Sequence, residues 1–364
     1  MTGFVPPPYP YDRLDALKKT AAAHEGGCVD LSIGTPCDPP PPAVVAAMAS
    51  SGAERGYPAS IGSEAFRRAA ARWVQRRLGV SVDSDAEVAA CIGTKELVAG
   101  VPQWLRLRTP TRDTVLYPSI AYPTYEMGAI LAGCRAVPYD RLDDIAESDA
   151  ERALCLWVNV PANPTGELGD LGAAARWGRA RRVPVLSDEC YVEFTWDGPP
   201  HTILEHGTEG VLAVHSLSKR SNLAGVRAGF YAGDADLVDY LREVRKHAGF
   251  MLAGPVQAAS VVAYDDDDHV DRQRKRYRGR LEWLRTTLAE GLGVDAPMPG
   301  GAFYRWVPAP DGDGWALAAT LAERAGVLAS PGEFYGPGGA GFVRIAVVQP
   351  DDRLALVADR LATA

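Results

Sequence analysis

The chain has 364 residues, with 38 lysines and arginines against 46 aspartates and glutamates, a net charge of −8. That balance argues against a nucleic-acid surface, which needs clustered cations. A hydrophobic content of 47% with 23% charged residues excludes disorder as the main state. The sequence offers no apolar run of about 18 residues for a membrane span. Its start, MTGFVPPPYPYDRLD, has neither the basic nor the apolar region of a secretion signal. Six scattered cysteines (28, 37, 91, 134, 155 and 190) form no CxxC and no Cys/His cluster, which reads as reduced thiols in a cytoplasmic protein.

Taken in chain order, the pattern alternates short apolar runs with longer amphipathic ones. Buried strands are expected at 115–118, 153–160, 183–189, 212–218 and 228–233, and helices at 63–79, 95–107, 171–182 and 235–249. Such alternation implies an α/β fold with a mostly parallel central sheet flanked by helices. A long helix at 272–292, then GAFYRWVP, a helix at 316–326 and FVRIAVV read as a smaller α+β domain. The expected division is a large domain over 45–260 and a small one from 1–44 with 261–364. The segment before 45 shows no strand–helix pair of its own. Pro39–Pro42 reads as an extended link, and Asp265–Asp268 as a solvated turn or helix start.

The most informative stretch runs from His215 to Gly229. Lys219 ends an apolar strand, preceded by Ser216 and Ser218, and Arg227 follows between Gly225 and Gly229. A poorly hydrated lysine there favours the neutral amine needed for a Schiff base. Hydroxyls with an arginine suit a phosphate. The bland alternative is a surface loop with an unrelated arginine.

S-x-S-K followed by G-x-R-x-G resembles the lysine motif of class I/II aminotransferases, pyridoxal 5'-phosphate enzymes of fold type I. Further matches fall in the family's order, over residues 30 to 346. Asn163-Pro-Thr-Gly166 resembles the turn whose asparagine bonds the pyridoxal phenolic oxygen and lines the substrate site. In Ser187-Asp-Glu-Cys-Tyr191, the resemblance implies Asp188 on the pyridine nitrogen and Tyr191 on the phenolic oxygen. It also implies Thr94 and Lys95, in Gly93-Thr-Lys-Glu96, at the phosphate, and Tyr122 stacked on the ring. Arg344 is implied to grip the substrate α-carboxylate, with the Gly34 backbone close to it. Tyr57 is implied to reach the phosphate of a neighbouring subunit, which makes a homodimer with active sites at its interface. Taken alone, Asp188 also reads as a helix N-cap and Tyr122 as a core aromatic.

VHSLSKRSNLAG, SDECYVEF, VRKHAGFM, GPVQAA and GEFYGPGG resemble the actinobacterial branch of N-succinyldiaminopimelate aminotransferase, from lysine biosynthesis. That branch passes an amino group between glutamate (with 2-oxoglutarate) and N-succinyl-2-amino-6-oxopimelate. Acidic substrates call for further cations, and Lys95 and Arg220 are the candidates. Cys37 in GTPCDPP, GGAFYRW and RIAVVQP depart from that branch. They leave open another keto acid, as in secondary metabolism, or a fold type I lyase or decarboxylase. A regulator with a winged-helix domain is disfavoured, since only about 30 residues precede LSIGTP and the charge is negative. The six histidines show no helical HxxxH pair, so no metal is expected.

Overall fold

A computed structural model describes residues 4–363. The chain divides into two units. The larger comprises Thr35–Arg276 and Pro299–Ala302; the smaller comprises the residues up to Gly34, Tyr277–Met298 and the residues from Phe303 on.

The larger unit is built on a seven-stranded sheet. Its strand order is Val88–Cys91, Gly229–Gly233, Val211–Ser216, Val185–Asp188, Ala153–Asn159, Thr114–Pro118, Arg135–Tyr139. Gly229–Gly233 is antiparallel to both neighbours, and every other pairing is parallel. The central strands are buried along their whole length, as covered faces require, so they read as continuous apolar runs. Helices close over them. In Glu64–Leu78 the Ser63 hydroxyl caps the Phe66 N–H, Gly79 stops the helix in the left-handed region, and Phe66, Ala70, Trp73 and Val74 form its buried face.

The smaller unit holds an antiparallel sheet in which Phe342–Ala346 lies between Ser330–Pro331 and Tyr304–Pro308. It also has a parallel pair, Val29–Asp30 with Val327–Leu328. Helices Asp15–Ala22, Gly314–Ala325 and Asp351–Thr363 complete it.

Several expectations are revised. The division falls after Gly34 and within helix Asp268–Leu292, not at 44/45 and 260/261, because an uninterrupted helix carries no linker signal. The segment before 45 does contain a helix, Asp15–Ala22, and a strand whose partner lies near residue 327, beyond the reach of local pattern. The proline run ends by starting helix Pro42–Ala49, where a proline in the first turn loses no hydrogen bond. Asp265 and Asp267 are not simply solvated: they pair with Arg72 and Arg76, at 2.7 Å each. All six cysteines are free thiols. Among the described residues no helix is long and apolar enough to cross a membrane, and no group of three or more His, Cys, Asp or Glu side chains could hold a metal.

Candidate active site

Parallel strands bring the ends of consecutive segments to one edge of a sheet, and that edge gathers ligand-binding groups in open α/β folds. Here the register sets Asn159 beside Asp188 and Asp188 beside Val214, just before Ser216 and Lys219. Asp188 is 9% exposed. Its Oδ2 accepts the Tyr125 hydroxyl at 2.9 Å, and its Oδ1 accepts the Cys190 N–H at 3.2 Å. Burial raises the Asp188 carboxyl above the ordinary range, while hydrogen bonds from Cys190 and Tyr125 and the charge of Lys219 act to lower it. Its charge is therefore costly until a cation lies against it.

Asn159 ties two segments together. Its Nδ2 donates to the Asp188 carbonyl at 2.7 Å, and its Oδ1 accepts the Asn163 N–H at 2.7 Å. The turn at Asn163–Gly166 is closed from far along the chain. Gly301 N–H donates to the Gly166 carbonyl at 2.8 Å, and Trp196 N–H to the Gly300 carbonyl at 2.8 Å. A Cβ at Gly166, which has φ +75°, would come within 2.4 Å of Pro299 Cβ, so glycine is required. Tyr191 is buried just past Asp188. Neither Asn159 nor Tyr125 stands out in the sequence. A tyrosine three residues after Tyr122, in the first turn of helix Thr124–Leu131, is the one available hint.

Lys219 lies in the single turn Leu217–Arg220, half-buried. Ser216 caps it: its Oγ accepts the Ser218 N–H at 3.1 Å and donates to Ser218 Oγ at 2.9 Å. Arg227 has left-handed backbone, φ 59°, and donates to the Ala224 carbonyl at 2.8 Å. Its guanidinium rests against Gly93, where a Cβ would meet Nη2 at 2.3 Å. Gly93 precedes helix Thr94–Arg108, and the Thr94 hydroxyl is 3.3 Å from the Cys190 thiol. An arginine pressed to a helix N-terminus, with backbone N–H groups and hydroxyls at hand, fits a phosphate group. A buried carboxyl at that edge fits a protonated pyridine. The residues present thus fit pyridoxal phosphate. Lys95 Nζ lies 5.7 Å from the Tyr122 ring centroid, and Tyr57 is 99% exposed.

In the smaller unit Arg344 is 2% exposed. Its Cζ lies 4.2 Å from the Tyr304 ring centroid and 4.8 Å from that of Tyr335. Nη2 donates to the Ser32 carbonyl and to Tyr11 Oη, the latter at 3.4 Å. Gly34 belongs to this cluster, because a Cβ there would stand 2.1 Å from Tyr304 Oη. Arg220, a candidate for holding substrate, lies elsewhere. It is 3% exposed and bonded to Glu193 at 3.2 Å, because its side chain turns into the core.

The profile of the family described as "Aminotransferase class I and II" matches residues 27–361. The chain is 44% identical to the 4-dedimethylamino-4-oxo-anhydrotetracycline transaminase OxyQ of Streptomyces rimosus, over 98% of this chain and 99% of that one. It is 33% identical to the LL-diaminopimelate aminotransferase of Aquifex aeolicus, over 98% and 96%. The solved N-succinyldiaminopimelate aminotransferase of Mycobacterium tuberculosis superposes with a TM-score of 0.85 at 26% identity, over 99% of this chain and 100% of that one. The chain therefore belongs to the class I/II aminotransferases and is a pyridoxal-phosphate-dependent transaminase of fold type I.

Proposed function

We propose that this transaminase moves an amino group from glutamate to a keto acid, with N-succinyl-2-amino-6-oxopimelate as the acceptor, as a homodimer in the cytoplasm. The observation that carries the amino-transfer chemistry is the placement of Lys219 and the buried Asp188 at the ends of neighbouring strands, on the sheet edge that Arg227 and the helix at Thr94 also serve. Likeness to the succinyldiaminopimelate enzyme supports the acceptor. The 44% identity to the anhydrotetracycline transaminase favours a second reading, a ketone of secondary metabolism.

When bound, pyridoxal phosphate supplies an aldehyde that exchanges amines and a ring that draws electrons from the substrate Cα. Arg227, Ser216, Ser218, Thr94 and Lys95 hold its phosphate in this reading. Asp188 keeps the proton on the ring nitrogen, because a buried carboxylate favours the cation beside it. Asn163 and Tyr191 bind the phenolic oxygen, and Tyr122 covers the ring. Lys219 would carry the cofactor and, once a free amine, would take the substrate Cα proton and give it back on the far side of the amino nitrogen, as general base and then general acid. Arg344 takes the α-carboxylate as a bidentate fork, with the Gly34 backbone alongside. Tyr57, fully exposed on one protomer, serves the phosphate of a second copy.

Two experiments test this. Lys219→Ala is expected to remove the aldimine absorbance and nearly all turnover; unchanged turnover refutes the assignment. A panel of keto acids with glutamate as donor, followed by 2-oxoglutarate release, separates the acceptors. Loss of carbon dioxide in place of 2-oxoglutarate would identify a decarboxylase.

A further inference from the structure

Two segments carry the chemistry of the larger unit: one through Asp188 and Tyr191, the other through Lys219. Both are anchored in the interior by a single carboxylate. Glu193, two residues past Tyr191, is 4% exposed. Its Oε1 accepts the Trp73 indole N–H at 2.7 Å and Arg220 Nε at 3.2 Å. Its Oε2 accepts Arg77 Nε at 3.1 Å and Nη2 at 2.9 Å. Arg220, next to Lys219, also donates to the Ala263 carbonyl at 2.6 Å and to Ser221 Oγ at 3.3 Å. Its guanidinium lies 5.6 Å from the ring centroids of both Trp73 and Tyr264. Arg274 holds the backbone on the other side, donating to the Glu193 carbonyl at 2.5 Å and to the Thr195 carbonyl.

A buried ion pair persists only where its geometry is good and its remaining lone pairs are met. Four donor contacts meet the carboxylate, while Arg220 Nη2 makes no hydrogen bond and lies 3.7 Å from Asp267 Oδ1. The pair also has a task that packing alone leaves undone. Leu217–Arg220 is a single helical turn, and isolated turns do not hold themselves. The turn is held by the Ser216 cap, by backbone hydrogen bonds from the Leu217 N–H to the Ala228 carbonyl at 3.1 Å and from the Ser221 N–H to the Leu217 carbonyl at 3.2 Å, and by the Arg220 side chain.

We propose that the Glu193–Arg220 ion pair is a positioning clamp, which sets where the Lys219 amine stands relative to the Asp188 carboxyl. The inference rests on Lys219 being the cofactor-bearing amine. Arg77 provides the control: it binds the same carboxylate, but from helix Glu64–Leu78, without touching the Lys219 segment.

The test compares Arg220→Met, Arg220→Lys, Glu193→Gln and Arg77→Gln as holoenzymes. The readouts are the rate of borohydride labelling at Lys219 by peptide mass, kcat and KM for glutamate taken separately, and the melting temperature. Arg220→Met and Glu193→Gln are expected to lose about 100-fold in kcat, the scale of a displacement of about 1 Å. Labelling slows in step, and KM for glutamate holds. Arg220→Lys recovers part of both, and Arg77→Gln lowers only the melting temperature. Glu193→Gln keeps the shape of the side chain and reports even where Arg220→Met does not fold. Wild-type kcat and labelling in folded Glu193→Gln overturn the clamp. So does a kcat loss in Arg77→Gln as large as that in Glu193→Gln, which marks a role in stability alone. Lys219→Ala separates the two claims. A label that persists elsewhere in that variant defeats the reading of Lys219, whereas normal labelling of Lys219 in the clamp variants defeats only the clamp.

Discussion

Asp188 and Arg344 are both buried charges, one in each unit, and their surroundings are built in different ways. Asp188 stands where a strand leaves its sheet, and two of its partners, the Cys190 N–H and the Asn159 amide on its backbone, come from its own turn and the neighbouring strand. Arg344 is in the middle of a central strand, opposite Ser330 and Trp306, and its company of Tyr11, Ser32, Tyr304 and Tyr335 is gathered from across the smaller unit. Topology delivers the first group, and packing holds the second. Changes near Asp188 should act on proton affinity, and changes near Arg344 on orientation.

The largest expected effect comes from Asp188→Asn, which keeps the shape and removes the charge. Steady-state kinetics should show kcat lower by about 100- to 1000-fold; a retained kcat would erase the contrast. Next is Glu189→Gln. Burial pushes Glu189 up to about 7, and His215, whose Nε2 is 3.5 Å away, down to about 3. Ser187, Thr202 and the Ile203 N–H also face Glu189, and Asp188 adjoins it. Between its ordinary 4.5 and about 7 the folded chain holds a proton that the unfolded chain has released. That contribution is complete below about 4.5 and is lost as pH rises through 7. Glu189→Gln removes the loss, so the variant should gain on the parent by up to ~3 kcal/mol between about pH 5 and pH 8. Melting curves of the apoprotein across that range will show whether the gap opens.

Arg344→Lys tests the other unit. A compact ammonium cannot reproduce the planar fork between two rings, so KM for glutamate should rise about 10- to 100-fold, or ~1.5–3 kcal/mol, with less change in kcat. The smallest effect belongs to Tyr125→Phe. Loss of one hydrogen bond to Asp188, ~1 kcal/mol, should lower kcat severalfold and leave KM near the parent value. The reverse split would place Tyr125 with the substrate.

The sequence made the buried strands legible because covered strands are apolar throughout, and the helices legible through their periodicity. Val88–Cys91 and Arg135–Tyr139 went unread. The first is only four residues long, and the second is an edge strand with Arg135 and Pro138 exposed. Motif order points to Asp188, Asn163 and Lys219 as candidates, which sit at strand ends or beside them, whereas Arg344 lies mid-strand and is marked by its charge in an apolar run. Arg220 was misjudged because a sequence displays a charge without its partner, and Glu193 lies 27 residues away. The tyrosines around Arg344 were equally hidden, because nothing local links Tyr11 to Tyr335.

The closure of the Asn163–Gly166 turn by residues 299–302 bears on the order of synthesis. The asparagine turn lacks its backing until Gly301 has been made, because Gly301 N–H donates to the Gly166 carbonyl. A fragment ending at Arg276 would carry the lysine, the aspartate and the arginine of the larger unit and still leave that turn unsupported.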